Sequence, residues 1–274
     1  NRRVGVQLGH ESYLRMPAAN FAKLGKAASV EFVDITAAVR ALRSVKSALE
    51  IEKIRFVCDR ASDAFESLPD WARSGQSERE ICRALKIDLL NRGTDGTPYM
   101  VAGSGQGSYD NIIMGPTDRV LSQGDVLIID TGTIYDGYFC DFDRNYAFGQ
   151  PSDDARRAYD TVFEATDAGF DAARPGTTAA ELWRTMQNVL DAGGALGNST
   201  GRSGHFLGMQ LTEGPSLIPA DNTVLEPGMV LTLEPGMEFA PGQLMVHEEN
   251  IVVTEDAPVY LSRRAWPEMP IIDA

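Results

Sequence analysis

Val126-Leu-Ile-Ile-Asp130-Thr-Gly-Thr-Ile-Tyr-Asp136-Gly137-Tyr-Phe-Cys-Asp141-Phe-Asp143-Arg144 is the stretch that decides the fold. An apolar β-type run ends in Asp130, the turn signal Asp136-Gly137 follows, and a second β-type run carries Asp141 and Asp143. Asp-Gly between two such runs predicts a tight hairpin. Acids rarely sit inside apolar strands, because an unpaired buried carboxylate is costly. The hairpin therefore either turns its acids to water or gathers several carboxylates around a cation.

The rest of the chain bears on that choice through an internal repeat. Ser47-Ala-Leu-Glu50 is a capping box that opens a helix with Ile51, Ile54, Cys58, Ala61 and Phe65 at helical spacing, closed at Leu68-Pro69. Ser77-Glu-Arg-Glu80 opens a second helix striped by Ile81, Leu85 and Leu89 and closed at Gly93. Strand-like segments follow at Tyr99–Ala102, Asn111–Met114, Val126–Thr133 and Tyr138–Phe148. The order then recurs. Pro151-Ser152 opens a helix carrying Tyr159, Val162, Phe163 and Phe170, which Pro175-Gly176 stops. Thr178-Ala-Ala-Glu181 caps a helix running to Gly193-Gly194, and strand-like stretches end with Met229–Glu234 and Glu248–Thr254.

Each half reads helix, helix, then a β region in which an apolar run ends in an acid and then Gly: Leu-Ile-Ile-Asp130-Thr-Gly and Leu-Thr-Leu-Glu234-Pro-Gly. Ser77 to Asp130 spans 53 positions and Thr178 to Glu234 spans 56. This matched spacing indicates a duplication whose two hairpins face one another across a shared cleft. The second half supplies Glu234 and Glu248, and Ser203-Gly-His205-Phe-Leu-Gly208 lies between the halves with glycines that let backbone approach closely. The candidate set is Asp130, Asp141, His205, Glu234 and Glu248. Four carboxylates cannot share a pocket without cations, one divalent ion leaves net negative charge, and two ions about 3.5–4 Å apart suit the set.

Composition bounds the alternatives. The 274 residues are 43% hydrophobic, enough for a real core, and carry a net charge of −14, which argues against a nucleic-acid partner. No apolar run approaches the ~20 residues of a membrane span. Cys58, Cys82 and Cys140 are odd in number and far apart, so a reducing, cytoplasmic setting is expected. Cys140 points to the strand face opposite Asp141 and is assigned to packing. The chain opens Asn-Arg-Arg with no initiator Met and no signal-peptide pattern, and a preceding N-terminal portion is expected. Residues 1–43, with short strand-like runs at Val4-Gly-Val-Gln-Leu and Val30-Glu-Phe-Val-Asp-Ile and a helix from Pro17 to Ala28 between them, are too few for an independent core. His10 lies here, outside any acidic cluster, and is assigned a structural or surface role.

With Pro-Thr-Asp-Arg119 and Gly-Asp125 before the first strand, Gly-His205-x-x-Gly, Glu226-Pro-Gly-Met229-x-x-Thr-x-Glu234-Pro-Gly and Glu248-Glu-Asn-x-x-Val-Thr254, the order Asp, Asp, His, Glu, Glu resembles the pita-bread metallopeptidase and creatinase superfamily, which includes aminopeptidase P, prolidase and methionine aminopeptidase. The resemblance covers residues 44–262. It implies an α+β pita-bread fold, with a curved, mostly antiparallel sheet and four main helices on its outer face. Residues 1–43 then end an N-terminal creatinase-like domain, and 44–274 form the catalytic domain. It implies that Asp141 and Glu248 bridge two metals, that Asp130 completes one shell, and that His205 and Glu234 complete the other. One nitrogen among hard oxygens favours Mn²⁺ or Fe²⁺, with Co²⁺ or Zn²⁺ also suitable. The implied chemistry is hydrolysis of an amide or similar C–N bond by a water whose pKa the metals lower, in a homodimer acting on a small peptide or small molecule.

The departures concern substrate and proton handling. At three positions where aminopeptidase P and prolidase carry histidines, this chain has Ile113, Gly201 and Thr212, taken here as substrate-binding positions. The usual Arg two before the last Glu is Val246, and the usual Thr or Ser two after the second Asp is Asp143. Proton transfer then falls to Glu234 or to a metal-bound water, and neither replaces the three lost donors. Asp143 either presses further negative charge on the site or pairs with Arg144 or another base. His247 alternates with Glu248 and is assigned to packing or surface. Loss of the histidines favours the small-molecule branch of the superfamily, which contains creatinase, ectoine hydrolase and a dimethylsulfoniopropionate lyase. A non-catalytic binding module is the remaining alternative, and the intact ligand set speaks against it.

Overall fold

A computed structural model of the protein describes residues 2–9, 12–197 and 201–272; His10 lies outside them. The described chain opens with parallel strands β1 (Arg2–Val6) and β2 (Val30–Asp34) joined by α1 (Ala18–Ala28), close to the bounds read from sequence. No residue of α1 is buried, in keeping with a segment that builds no core of its own. Helix α2 (Thr36–Ser44) was not foreseen, because its N-cap is Ile35, which has no polar side chain, and the Thr36 N–H donates instead to Asp34 Oδ1 at 2.9 Å.

The four main helices start where their caps lie. In α3 (Ala48–Trp71), α4 (Glu78–Asn91) and α6 (Ala179–Ala192) the N-cap hydroxyl accepts from the N3 backbone and the N3 glutamate accepts from the N-cap backbone. In α5 (Asp153–Ala172) the Ser152 side chain accepts from Ala155 N–H. Each such cap contributes about 1 kcal/mol. One boundary differs from expectation: Pro69 lies inside α3, which runs on to Trp71. Proline has no N–H to give the Phe65 carbonyl one turn earlier. That carbonyl instead accepts from the buried Tyr146 hydroxyl at 2.8 Å, so the last turn survives.

The first sheet has the order β13-β5-β4-β3, from β3 (Gly96–Gln106), β4 (Asp125–Tyr135), β5 (Tyr138–Phe148) and β13 (Ile271–Ile272). The second has the order β12-β11-β8-β6-β7, from β6 (His205–Phe206), β7 (Glu213–Ser216), β8 (Val230–Leu233), β11 (Glu249–Val252) and β12 (Val259–Tyr260). A hairpin of β9 (Gly236–Ala240) and β10 (Gln243–Val246) stands beside them. Pairing is antiparallel within both sheets except for β13 on β5. Each half is thus a helix pair followed by antiparallel strands, as the repeat required. Asn111–Met114 forms no strand; the Asn111 side chain accepts from Ile113 N–H at 2.9 Å and bends the backbone into a turn.

Strand β4 joins the two cores. Leu127 and Ile129 pack with Ile54, Phe65, Leu85 and Phe142 on the side of α3 and α4. Val126 and Ile128 face the other way and pack with Val162, Met186, Leu231 and Ile251 of the second half. A strand buried on both faces reads as a continuous apolar run, which is the pattern of Val126–Ile129. Asp125, fully buried at the start of this strand, is gripped by both Arg119 Nη atoms at 2.8 Å. The Pro-Thr-Asp-Arg and Gly-Asp segments are therefore a structural clasp.

Candidate metal centre

The hairpin turns at Asp136 and Gly137, both at positive φ, between paired Tyr135 and Tyr138. The resulting register sets Asp130 opposite Asp143 and Gly132 opposite Asp141. Directly paired residues share a face, so all three acids point the same way. Gly132 leaves room there: a Cβ would lie 2.3 Å from Leu211 Cδ1. From the second half, Glu234 follows β8, Glu248 precedes β11, and His205 opens β6.

His205 is held from two sides. Its N–H donates to Thr232 Oγ1 at 3.1 Å, and its Nδ1 lies 2.9 Å from the Phe206 carbonyl. A carbonyl only accepts, so Nδ1 carries a proton and Nε2 faces Asp141 Oδ2 at 3.1 Å and Glu248 Oε1 at 4.0 Å. Either a second ring proton or a cation must bridge that gap. The preceding Gly204 (φ +137°) lies where a Cβ would sit 2.2 Å from the Thr232 carbonyl oxygen. Gly204→Ala is expected to cost about 3 kcal/mol, from backbone strain and overpacking together, measured by urea unfolding.

Asp141, His205 and Glu248 each offer a ligand atom, all within 4.8 Å of one another. They are 4%, 2% and 2% exposed. Asp130 and Glu234 flank them and are half-buried. Asp130 Oδ1, Asp141 Oδ1, Asp143 Oδ1 and Glu248 Oε1 are buried without hydrogen-bond partners. Burial pushes Asp141 and Glu234 up to about 7. Burial, and then neighbouring carboxylates, push Asp130, Glu248 and Asp143 well above the usual range. Orphaned oxygens that repel one another in a dry pocket are the donor set a divalent cation neutralises.

The back of the site is a rigid polar wall. The Asn250 carboxamide accepts from Asp141 N–H at 2.9 Å and donates to the Asp141 carbonyl, tying β11 to β5. Arg144 donates to the Asp143 carbonyl at 2.6 Å and to the Glu248 carbonyl at 3.2 Å, and pairs with the fully buried Glu249 at 3.1 Å. Arg144 therefore binds the backbone of Asp143, while the Asp143 carboxylate faces His247 Nδ1 at 3.7 Å. His247 is a packing residue, stacked on Phe163 at 6.0 Å between ring centroids and bonded to Arg264. Burial pushes it down to about 4, so it is neutral at physiological pH. Cys140 packs with Cys58 in the helix-side core, away from Asp141.

The three substrate positions differ in their exposure. Ile113 is 79% exposed on its turn, and Gly201 is exposed at φ +77°. Thr212 is half-buried, accepts from Arg202 Nη2 at 3.3 Å, and lines a crevice with Gln7, Arg40 and Arg43. Two residues at the centre were not singled out from sequence. Tyr99 pairs with Gly132 in the ladder, and burial and then the charges of Asp130 and Asp141 push its phenol well above the usual range. Arg202 places a positive charge near both Asp141 and Glu234. Tyr99 could have been found by registering β3 on β4, whereas no local signal marks Arg202.

Residues 52–256 match the model of metallopeptidase family M24. The chain is 32% identical over 246 residues to a probable dipeptidase PepE of Mycobacterium tuberculosis, covering 89% of this chain and 65% of that protein. It thus spans somewhat less than two thirds of this relative. Among solved structures it resembles dipeptidase PepE from Mycobacterium ulcerans, with a TM-score of 0.87 and 29% identity over 95% of this chain and 70% of the other. It also resembles the prolidase from Pyrococcus furiosus, with a TM-score of 0.88 and 26% identity over 97% and 77%. The pita-bread architecture expected from the sequence is the one these structures share.

Proposed function

The chain belongs to metallopeptidase family M24, and from that premise we propose that it is a dinuclear metal-dependent hydrolase cleaving an amide C–N bond of a small substrate. Peptides are the default substrate class, with poor turnover of Xaa-Pro bonds. The observation that carries this reading is the buried Asp141–His205–Glu248 group, with orphaned oxygens and two further acids beside it. In this reading Asp130, Asp141, His205, Glu234 and Glu248 would hold the ions. Divalent ions bound there, Mn²⁺ or Fe²⁺ before Co²⁺ or Zn²⁺, supply Lewis acidity and lower the pKa of water.

The chain's own residues do the remainder. Asn250 and Arg144 hold the backbones of Asp141 and Glu248, so the bridging carboxylates cannot drift apart. Glu234, half-buried beside the cluster, takes a proton from the attacking water and returns it to the leaving amine at its carboxylate oxygen. Burial, and then the neighbouring Asp130 and Asp141 carboxylates, keep the Tyr99 phenol in its protonated form beside them.

Ile113, Gly201 and Thr212 offer no group that titrates near neutral pH. A positioned His contributes about 10²–10⁴-fold to protonating a leaving amine. Mn²⁺-loaded protein is therefore expected to turn over Gly-Pro with a kcat/KM well below the ordinary range of about 10⁴–10⁸ M⁻¹s⁻¹. A value inside that range overturns the exclusion of Xaa-Pro substrates. The same absence favours a second reading, a small-molecule hydrolase or lyase on this scaffold. Product analysis across non-proline dipeptides and zwitterionic compatible solutes separates the two. Elemental analysis finding no bound divalent ion after loading rejects both.

A further inference from the structure

We propose that Lys46 and Glu213 are positioning residues: their buried ion pair ties the linker after α2 to the loop 208–213 and so holds Leu211 in place as an apolar wall beside the metal centre. What the wall does for a substrate rests on the hydrolase reading above; the tie itself does not.

One carboxylate does the holding. Glu213 Oε2 lies 3.1 Å from Lys46 Nζ, and the two side chains are 6% and 2% exposed. Glu213 Oε1 accepts from Met209 N–H at 3.1 Å and from Gln210 N–H at 3.3 Å. Glu213 therefore closes its own loop with one oxygen and joins it with the other to a lysine 167 positions away. Lys46 is itself fixed. Its N–H donates to the Gly228 carbonyl at 2.9 Å, and its neighbour Val45 pairs with Met229 at the start of β8. Gly208 stands where the pair passes: a Cβ there would lie 2.9 Å from Lys46 Cε and 3.0 Å from Glu213 Oε2. The second glycine of the Gly-His205-x-x-Gly pattern is thus the space that the ion pair occupies.

The loop meets the acid-bearing hairpin at two points. The Gly208 carbonyl accepts from Phe139 N–H at 2.8 Å, at the start of β5. Leu211 Cδ1 fills the space that a Gly132 Cβ would need, on the strand face that Gly132 shares with its ladder partner Asp141. Between β6 and β7 the backbone has no regular structure, so no ladder orders residues 207–212. Loops of this kind open locally at little cost unless side chains hold them. Burial pulls Lys46 below the usual lysine range, and the Glu213 charge opposes that pull. A buried ion pair adds little net stability, because desolvating both charges offsets their attraction. What this pair supplies is one geometry: a carboxylate fixed between an ammonium and two backbone N–H groups does not slide as an apolar contact does.

Hydrogen exchange read by mass spectrometry tests the tie in Mn²⁺-loaded protein with no substrate present. Lys46→Met is expected to speed exchange of residues 207–213 by about 10- to 100-fold, the range of one charge-assisted hydrogen bond, and to leave α3 and α4 unchanged. The double variant Lys46→Met/Glu213→Gln leaves no charge buried alone and keeps an acceptor for Met209 and Gln210, so it is expected to fold as wild type does. It too is expected to exchange faster in 207–213 alone, with Mn²⁺ stoichiometry unchanged. Wild-type exchange of this loop in the double variant, or faster exchange across the whole chain, overturns the proposal. A second arm measures cleavage of Ala-Leu. The double variant is expected to raise KM about 10-fold and to change kcat by about threefold or less, a split that a general loss of stability does not give. An unchanged KM beside faster loop exchange overturns the wall. No cleavage by wild type, with the loop exchanging as expected in the variants, removes the peptide-hydrolase reading and supports the tie.

Discussion

Asp141→Ala is expected to make the metal-free protein more stable and the metal-loaded protein inactive. Asp141 is 4% exposed, has an orphaned Oδ1, and is pushed up to about 7 by burial. Ionised at pH 8 without a cation, it is a buried charge among other acids, and its removal relieves that cost. A gain of about 2 kcal/mol in metal-free stability is expected, since one pKa unit is about 1.4 kcal/mol and the small cavity left behind takes some back. With metal the sign reverses. Loss of a bridging carboxylate leaves Glu248 alone between two ions, and bound metal is expected to fall from two ions to one or none. Activity then falls by about 10³-fold or more, the several kcal/mol that metal charge stabilisation supplies. Elemental analysis, and thermal unfolding with and without Mn²⁺, read both effects. A variant that binds two ions, or that is destabilised in both states, contradicts the assignment. A merely misfolded variant cannot produce the opposite signs.

The second expected result is a stability profile that runs opposite ways with and without metal. Asp141 and Glu234 hold their protons to about pH 7 in the metal-free fold, whereas unfolded carboxylates lose theirs near pH 4. Between about pH 4 and 7 the folded state therefore binds more protons than the unfolded state. Stability from these groups is fully present below pH 4 and is lost as pH rises through 7. Asp130, Asp143 and Glu248 shift in the same direction. Metal-free protein is expected to be a few kcal/mol more stable at pH 5 than at pH 8. Glu249 limits this on the acid side: Arg144 holds it well below the usual carboxylate range despite its burial, so its contribution disappears only in strong acid. Saturating Mn²⁺ must displace the protons on the ligands, so its stabilisation grows as pH rises toward 8. Urea midpoints at both pH values, with EDTA and with Mn²⁺, check the prediction. A metal-free midpoint that rises from pH 5 to pH 8 contradicts the reading of these acids as a destabilised cluster.

Local chemistry made most of the fold legible. Ser47, Ser77 and Thr178 satisfy orphan N–H groups within three residues of themselves, so their helices could be placed without knowing what they pack against. Asp136-Gly137 likewise sets the β4–β5 register by itself, because a two-residue turn at positive φ admits one pairing. At Pro69 the reading missed because the deciding partner was distant. Pro69 stays helical because Tyr146, 77 residues away, serves the freed Phe65 carbonyl. Asn111–Met114 looked extended by side-chain type, but its own Asn111 carboxamide accepts from Ile113 N–H and closes it into a turn.

The sequence by itself picked out the acids and the His of the candidate centre, of which the fold brings Asp141, His205 and Glu248 together, because the repeat delivers acids at matched spacing from two hairpins. Tertiary structure decided what surrounds them. Strand alternation correctly put His247 on the face away from Glu248, but not its neutral packing between Phe163, Glu249 and Arg264. Asp143 had two open readings, and the choice came from Arg144 turning to backbone carbonyls and to Glu249, 105 positions along. The charge of Arg202 reaches Asp141 and Glu234 only through the packing of the two halves. Caps, turns and strand faces depend on neighbours a few bonds away, so sequence carries them; buried charge partners depend on how two separately folded halves pack, and no spacing within either half encodes that distance.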